Sequence, residues 1–263
     1  MILRRAALLL GFGFLYIPLA LLVATSFNAS RLTTVWSGFS WRWYQALWHD
    51  PVLMEAAGLS LLVAAAAASL ATALGGLAGI ALARRMRGRA LFQALLLAPV
   101  VLPDLLIGLA LLLLFVALEQ MTGFPAGRGA GTIIIAHATI GIGFVALAVQ
   151  ARLAGESRVL EEVAADLGAS PLAVLRRITL PRIAPALAAG WLLAFTLSLD
   201  DVVVASFASG PGATTLPMAM FSALRLGPTP VLNALATVIL ALAAVTLLAA
   251  LFLAPVARRR GRL

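Results

Sequence analysis

Residues 55–89 read EAAGLSLLVAAAAASLATALGGLAGIALARRMRGR. After Glu55 no charged residue appears until Arg84, and then Arg84, Arg85, Arg87 and Arg89 follow in close order. A helix rising about 1.5 Å per residue crosses a hydrocarbon core of about 30 Å with about 20 apolar residues. The run from 55 to 82 is longer than that and ends on cations, so it reads as a membrane-spanning helix. Within it Gly75, Gly76 and Gly79 provide small residues against which another helix can pack closely.

The remainder of the chain follows the same pattern. Of 263 residues 63% are apolar and 11% charged, with a mean hydropathy of +1.07. A soluble globule needs more polar surface than this composition supplies. Apolar stretches predict six spans at roughly 6–27, 55–82, 91–118, 131–151, 186–208 and 231–255. Arg4 and Arg5 precede an apolar run from Ala6 to Ala24 that is long enough to span and lacks a small-x-small cleavage site. It is expected to be an uncleaved first span rather than a signal peptide. Residues 1–263 are expected to form a single all-α membrane domain, with no room for a soluble ATPase and no GxxxxGK[ST] phosphate loop.

The net charge of +9 is carried entirely by arginine, and the arginines stand at the ends of apolar runs rather than in a basic face, which excludes a nucleic-acid binder. Fifteen fall in the N-tail, the second and fourth loops and the C-tail (Arg258, Arg259, Arg260 and Arg262), against four on the other side. The positive-inside rule therefore puts both termini and the fourth loop in the cytoplasm. Trp36, Trp41, Trp43, Tyr44 and Trp48 fit an interfacial aromatic belt or a short amphipathic segment, with docking of an external partner as the alternative. With no Cys, and with His49 and His137 far apart, neither disulfides nor a recognisable metal motif is expected.

The fourth loop, about 152–185, is the longest on the cytoplasmic side. Leu160, Glu161, Glu162, Val163, Ala164, Ala165, Asp166 and Leu167 predict a short helix, acidic at its start and stopped by Gly168. Ser170 and Pro171 supply a cap and a first-turn proline for a second short helix, which Pro181 is expected to end. Ala164 and Ala165 leave a face that another protein could approach closely.

Glu162-x-Ala164-x-x-x-Gly168, followed after nine residues by Ile178-x-Leu180-Pro181, resembles the EAA signature of the permeases of bacterial ABC importers, with Val163 where that family usually has Ala. The resemblance implies the type I ABC importer permease fold. It also implies a coupling helix that docks on an ATPase, with Glu162, Ala164, Ala165, Asp166, Gly168, Ile178, Leu180 and Pro181 at the coupling positions. The implied partners are a second homologous permease, two cytoplasmic ATPase subunits and an external binding protein. ATP and magnesium would belong to the ATPases, and this chain would be no enzyme. The likeness extends to Ser198-Leu199-Asp200-Asp201-Val202-Val203, to SGPGATTLP at 209–217 and to Asn233–Thr237. There it is similar to the polyamine branch of the family, putrescine permeases first and spermidine permeases second.

Three carboxylates fall within apolar stretches, where each costs about 2.5–3.5 kcal/mol on insertion scales and needs a reason. Asp104 lies about 13 residues into the third stretch, near the expected midplane. Asp200 and Asp201 lie about 22 Å above the cytoplasmic end of the fifth, and successive helix positions point about 100° apart, so one of the two is expected to face a passage. A protonated diamine would be stabilised by such groups; pairing with helix ends, with Ser198 or Thr196, or with a partner permease is the competing reading. Trp191 is expected to anchor packing, with cation recognition as its alternative. His137 reads as hydrogen-bonded structure before proton relay. Other classes weighed are an importer for another small cargo, an ion-driven secondary transporter, which would call for inverted repeats that are not seen, and a membrane enzyme, which would need a polar catalytic cluster.

Overall fold

Inside hydrocarbon every backbone N–H and C=O must find its partner within the protein, and an unbroken apolar run does so as a helix. The computed structural model describes residues 2–32, 35–84, 86–155, 157–227, 229–242 and 244, and it is helical almost throughout. In chain order the helices are α1 (Ile2–Ser26), α2 (Arg42–Trp48), α3 (Pro51–Ala83), α4 (Arg89–Val101), α5 (Asp104–Thr122), α6 (Ala130–Ala154), α7 (Val159–Asp166) and α8 (Pro171–Val174). A π turn (Leu175–Thr179) follows, then α9 (Leu180–Asp200), α10 (Val203–Ala208), α11 (Leu216–Leu226) and α12 (Pro230–Leu242). Among the described residues, five helical runs are long and apolar enough to cross a membrane: Leu8–Ser26, Pro51–Ala83, Asp104–Thr122, Ala130–Ala154 and Pro171–Asp200. About half of the sixth predicted stretch, 243 and 245–255, and the C-terminal arginines lie outside the described residues.

Three boundaries differ from the sequence expectation. The stretch 91–118 is two helices, because Pro103 holds Leu102 in an extended conformation (φ −73°, ψ 146°) and so ends α4. The stretch 186–208 is also two, parted at Asp201 (ψ 130°) just before three consecutive valines of low helix propensity. Pro181 does not end a helix. The chain runs helically from Pro171 to Asp200, and a π turn just ahead of the proline, with Leu180 N–H donating to the Leu175 carbonyl, absorbs the register change.

The described residues divide into two compact units, those up to 54 with those from 220 onward, and those within 55–219. In the first, buried Asn28 folds the segment after α1. Its Nδ2 donates to Val35 O (2.7 Å), its Oδ1 accepts from Ser37 N (3.0 Å), and its carbonyl accepts from Trp43 Nε1 (2.6 Å). Phe27, Phe39, Trp41 and Tyr44 pack with ring centroids 4.9 to 5.7 Å apart. The short α2 buries Trp43 and Leu47 and exposes Trp48, as an amphipathic segment does. Asn233 of α12 donates to Thr25 Oγ1 of α1 (3.1 Å).

The second unit is built on α3, α6 and α9. Gly75 and Gly79, one turn apart, turn the same face of α3 to α6. A methyl at Gly75 would lie 2.7 Å from the Ile142 carbonyl oxygen, and one at Gly79 would lie 2.7 Å from that of Ala146. Gly76 meets Leu187 of α9, and Gly190 of α9 meets Val145 of α6. Ala68, Ala71, Val145, Val149, Ile183 and Ala194 fill the space this close approach creates. A second cluster, around Ile107, Phe115, Ile133 and Val204, joins α5, α6 and α10 to α3.

Replacing Gly79 by Leu should overpack this contact at a cost of about 1–3 kcal/mol, visible as a lower unfolding temperature of the solubilised protein. Gly58→Ala, on the same helix with nothing within 4 Å, should cause no loss. Equal melting of the two variants would show that α3 and α6 are not held by this contact.

Candidate functional site

The two helix breaks meet. Around the Leu102–Pro103 break and the Asp201–Val202 break lies one cavity of about 460 Å³, lined among others by Val100, Asp104, His137, Ser198, Asp200 and Asp201. This size is within the roughly 300–1,000 Å³ of small-molecule sites. Non-helical backbone within an apolar stretch needs partners from protein or water, and both breaks border this cavity.

Asp104 is the first residue of α5 rather than a mid-helix position, because the proline break comes just before it. Its negative charge there complements the positive end of the helix dipole, and its residue is exposed to the cavity. Asp200 is the last residue of α9 and is likewise exposed. Asp201 is used differently. Its Oδ2 accepts from Ala205 N (2.6 Å) and its Oδ1 from Val204 N (3.3 Å), which caps α10. His137 Nε2 stands 3.1 Å from the same Oδ2. A carboxylate only accepts, so that ring nitrogen donates, and Ser198 Oγ lies 2.6 Å from Nδ1 on the other side of the ring. The three polar side chains therefore satisfy one another and hold α6, α9 and α10 together at the break.

Trp191 is not part of this cavity. It stacks on Phe195 (5.0 Å between centroids), donates from Nε1 to Ser69 Oγ (3.1 Å), and lines a separate groove between α3 and α9 with Thr72, Gly76 and Leu187.

The loop between α6 and α9 forms a second constellation. α7 ends in a Schellman motif: Gly168 has φ +83°, its N–H donates to Ala165 O (2.9 Å), and Ala169 N–H donates to Ala164 O (2.9 Å). Ser170 caps the next helix, its Oγ accepting from Ala173 N (3.3 Å), with Pro171 in the first turn. Glu162, Ala165 and Asp166 face outward while Ala164 is half-buried. Leu160, Val163, Leu167 and Leu172 are exposed, Leu167 at 83%, an apolar surface of the kind that marks protein interfaces. Ile178 sits half-buried in the π turn, with Leu180 and Pro181 opening α9.

One residue that sequence reading passed over takes part, and one that it named takes a different partner. Glu161, not singled out beside Glu162, turns inward to Thr179 and Arg84. Ser198, expected as a partner of the carboxylates, pairs with His137 instead. An amphipathic projection of 158–167 would have separated Glu161 from Glu162, since adjacent helix positions diverge by about 100°.

Residues 71–262 match the family described as binding-protein-dependent transport system inner membrane component. This chain is a member of that permease family. The permease is 55% identical over 239 residues to the putrescine transport system permease protein PotI of Escherichia coli K12, covering 90% of this chain and 85% of that one. It is 43% identical over 242 residues to the spermidine/putrescine transport system permease protein PotC of Haemophilus influenzae, covering 91% of each. With PotC of Escherichia coli K12 it shares 40% over 244 residues, covering 92% of this chain and 90% of that one. Among solved structures, a bacterial ABC transporter that imports the acidic polysaccharide alginate matches with a TM-score of 0.59 at 14% identity, covering 98% of this chain and 95% of that one. At that identity the likeness concerns the fold of the permease alone.

Removing His137 takes one of three hydrogen-bond partners from a half-buried carboxylate. His137→Ala should therefore destabilise the solubilised permease by about 1–3 kcal/mol, whereas Asp200→Asn should leave its melting temperature near that of the parent. Comparable losses in both would mean that Asp200 carries structure too.

Proposed function

We propose that this permease is the transmembrane subunit of an ATP-driven importer for polyamines, with putrescine as its first cargo and spermidine as its second. The observation that carries the reading is the cavity at the two helix breaks, where Asp104 and Asp200 stand exposed while Asp201 is engaged by His137 and by backbone. An ammonium group entering there exchanges water for charge-assisted hydrogen bonds to carboxylates, in a setting where a lone carboxylate is otherwise costly. The relatives named for putrescine and spermidine transport support the same class of cation.

In this reading the chain acts as one permease domain with six spans, its termini and the loop 152–185 on the cytoplasmic side. It pairs with a second permease to enclose the path and receives cargo from an external binding protein. Two ATPases hold ATP and magnesium, and this chain performs no chemistry. α7 is the coupling helix: Glu162, Ala165 and Asp166 present its outward face, and Gly168 fixes where it ends. Ile178, Leu180 and Pro181 pass the displacement into α9. ATP-driven closure of the ATPases displaces α7, and the access change is a shift between two states of the membrane domain. The cavity needs little affinity, since cargo must leave as readily as it enters.

The test is uptake of labelled putrescine in cells deleted for this gene and complemented with it, with spermidine as competitor. Rescue with weak competition supports putrescine, strong competition widens the cargo to polyamines, and gene-independent uptake removes the substrate assignment. Asp104→Asn with Asp200→Asn should lower uptake at limiting putrescine by about tenfold, the scale of one charged hydrogen bond, with the complex intact. Unchanged uptake would return both residues to a structural role. Gly168→Pro cannot adopt φ +83°, since proline is held near −65°. Together with Glu162→Arg it should abolish co-purification of the ATPases from an otherwise inserted permease. Retained co-purification with normal uptake in both variants would sink the assignment of α7.

A further inference from the structure

The chain on either side of α7 would let that helix swing. Gly155 ends α6, and Gly168 with the extended Ser170 (ψ 153°) separates α7 from α8. A helix connected through such joints could absorb a push from a partner by pivoting, and little displacement would reach the membrane. The side chains close these joints. Glu161 Oε1 accepts from Thr179 Oγ1 at 2.6 Å, joining the first turn of α7 to the π turn at the root of α9. Glu161 Oε2 stands 3.5 Å from Arg84 Nη2, just past the end of α3. Arg158 Nη2 donates to Ala83 O (2.9 Å), the last carbonyl of α3, and Arg182 Nη2 donates to Ser157 O (3.1 Å).

Burial separates the two carboxylates of this turn. Glu161's side chain is 17% exposed and Thr179 is fully buried, while Glu162 faces outward. The hydroxyl of Thr179 is placed by the π turn, whose wider register brings the end of the Leu175–Thr179 segment beneath α7. The space between these side chains is only about 20 Å³, room for roughly one water, so the contact is close-packed.

We infer that Glu161 is the positioning residue of the coupling segment, a clasp that ties α7 at once to the end of α3 and to the root of α9. A displacement of α7 then reaches two spanning helices through side chains as well as through the intervening chain. The inference rests on the reading of α7 as the coupling helix. It assigns to Glu161 transmission of movement, and leaves docking to Glu162 and the exposed apolar side chains.

The experiment uses the complete importer, with its ATPases and binding protein, in proteoliposomes, and reads putrescine transported per ATP hydrolysed. Glu161→Ala removes both contacts. Glu161→Gln keeps an acceptor for Thr179 and loses the charge facing Arg84. Thr179→Val removes the hydroxyl at similar volume, and Thr179→Ser retains it. The expected result is a fall of about threefold or more in transport per ATP for Glu161→Ala and Thr179→Val, with ATPases still bound and hydrolysing. Thr179→Ser should stay near the parent value, and Glu161→Gln should lie between. If Glu161→Ala does not assemble, the comparison of Thr179→Val with Thr179→Ser decides alone. An unchanged ratio in Thr179→Val, or equal losses in Thr179→Val and Thr179→Ser, overturns the clasp. Glu162→Arg and Gly168→Pro are assayed beside them: if both keep bound ATPases and normal uptake, the coupling reading itself fails, which is a different result from a failure at Glu161.

Discussion

Backbone amides in hydrocarbon have no solvent to bond, and the rest of the structure depends on that constraint. Helices follow wherever the sequence is uninterrupted, and each interruption has to be placed where protein or water can serve the exposed groups. Both interruptions within apolar stretches, after Val101 and after Asp200, border the same cavity. The place where the helical ladder stops is thus also the place where polar side chains can be kept. Asp201 supplies the N–H groups of α10 with an acceptor, and His137 compensates Asp201 in turn.

A cavity with two helix ends at its wall holds its shape only if the surrounding helices are rigid. That rigidity comes from small residues rather than large ones. Gly75, Gly79 and Gly190 let α3 and α9 approach α6 closely enough for backbone to meet side chain. In a membrane, where association gains little from the hydrophobic effect, such dispersion contacts are the main adhesive. The same spanning helices reach the cytoplasmic loop, where Arg84, Glu161 and Thr179 continue the connection in polar form. Packing along the spans and clasping at their ends join the cavity to α7.

Much of this was legible in the sequence. The spans at α3 and α6, the stop at Gly168, the cap at Ser170 and the close packing implied by Gly75, Gly76 and Gly79 all follow from local rules of length, capping and side-chain size. The break at Pro103 was missed, because hydropathy runs straight through it, although proline constrains the residue before it. The break at Asp201 was harder, since no proline marks it and its cause is a cap completed by a histidine 64 positions earlier in the chain. For the same reason the division of labour between Asp200 and Asp201 was out of reach: identical neighbouring side chains differ here only in their tertiary partners. Pro181 misled in the other direction. Proline ends an α-helix by lacking a donor, but a wider turn placed just before it removes the conflict.

That wide turn has a consequence for how this family of loops can change over time. A π turn holds one residue more than the α-turn it replaces, and each residue advances a helix by about 100°. Deleting any one residue within 175–179 would restore a regular hydrogen-bond ladder, and by local criteria would look like a repair. It would also shorten the connection that sets the Thr179 hydroxyl against Glu161, so the polar contact between α7 and the root of α9 would have to be rebuilt. Substitutions that keep the Thr179 hydroxyl leave this spacing intact where length changes do not, and the number of residues between Gly168 and Pro181 sets where that hydroxyl falls.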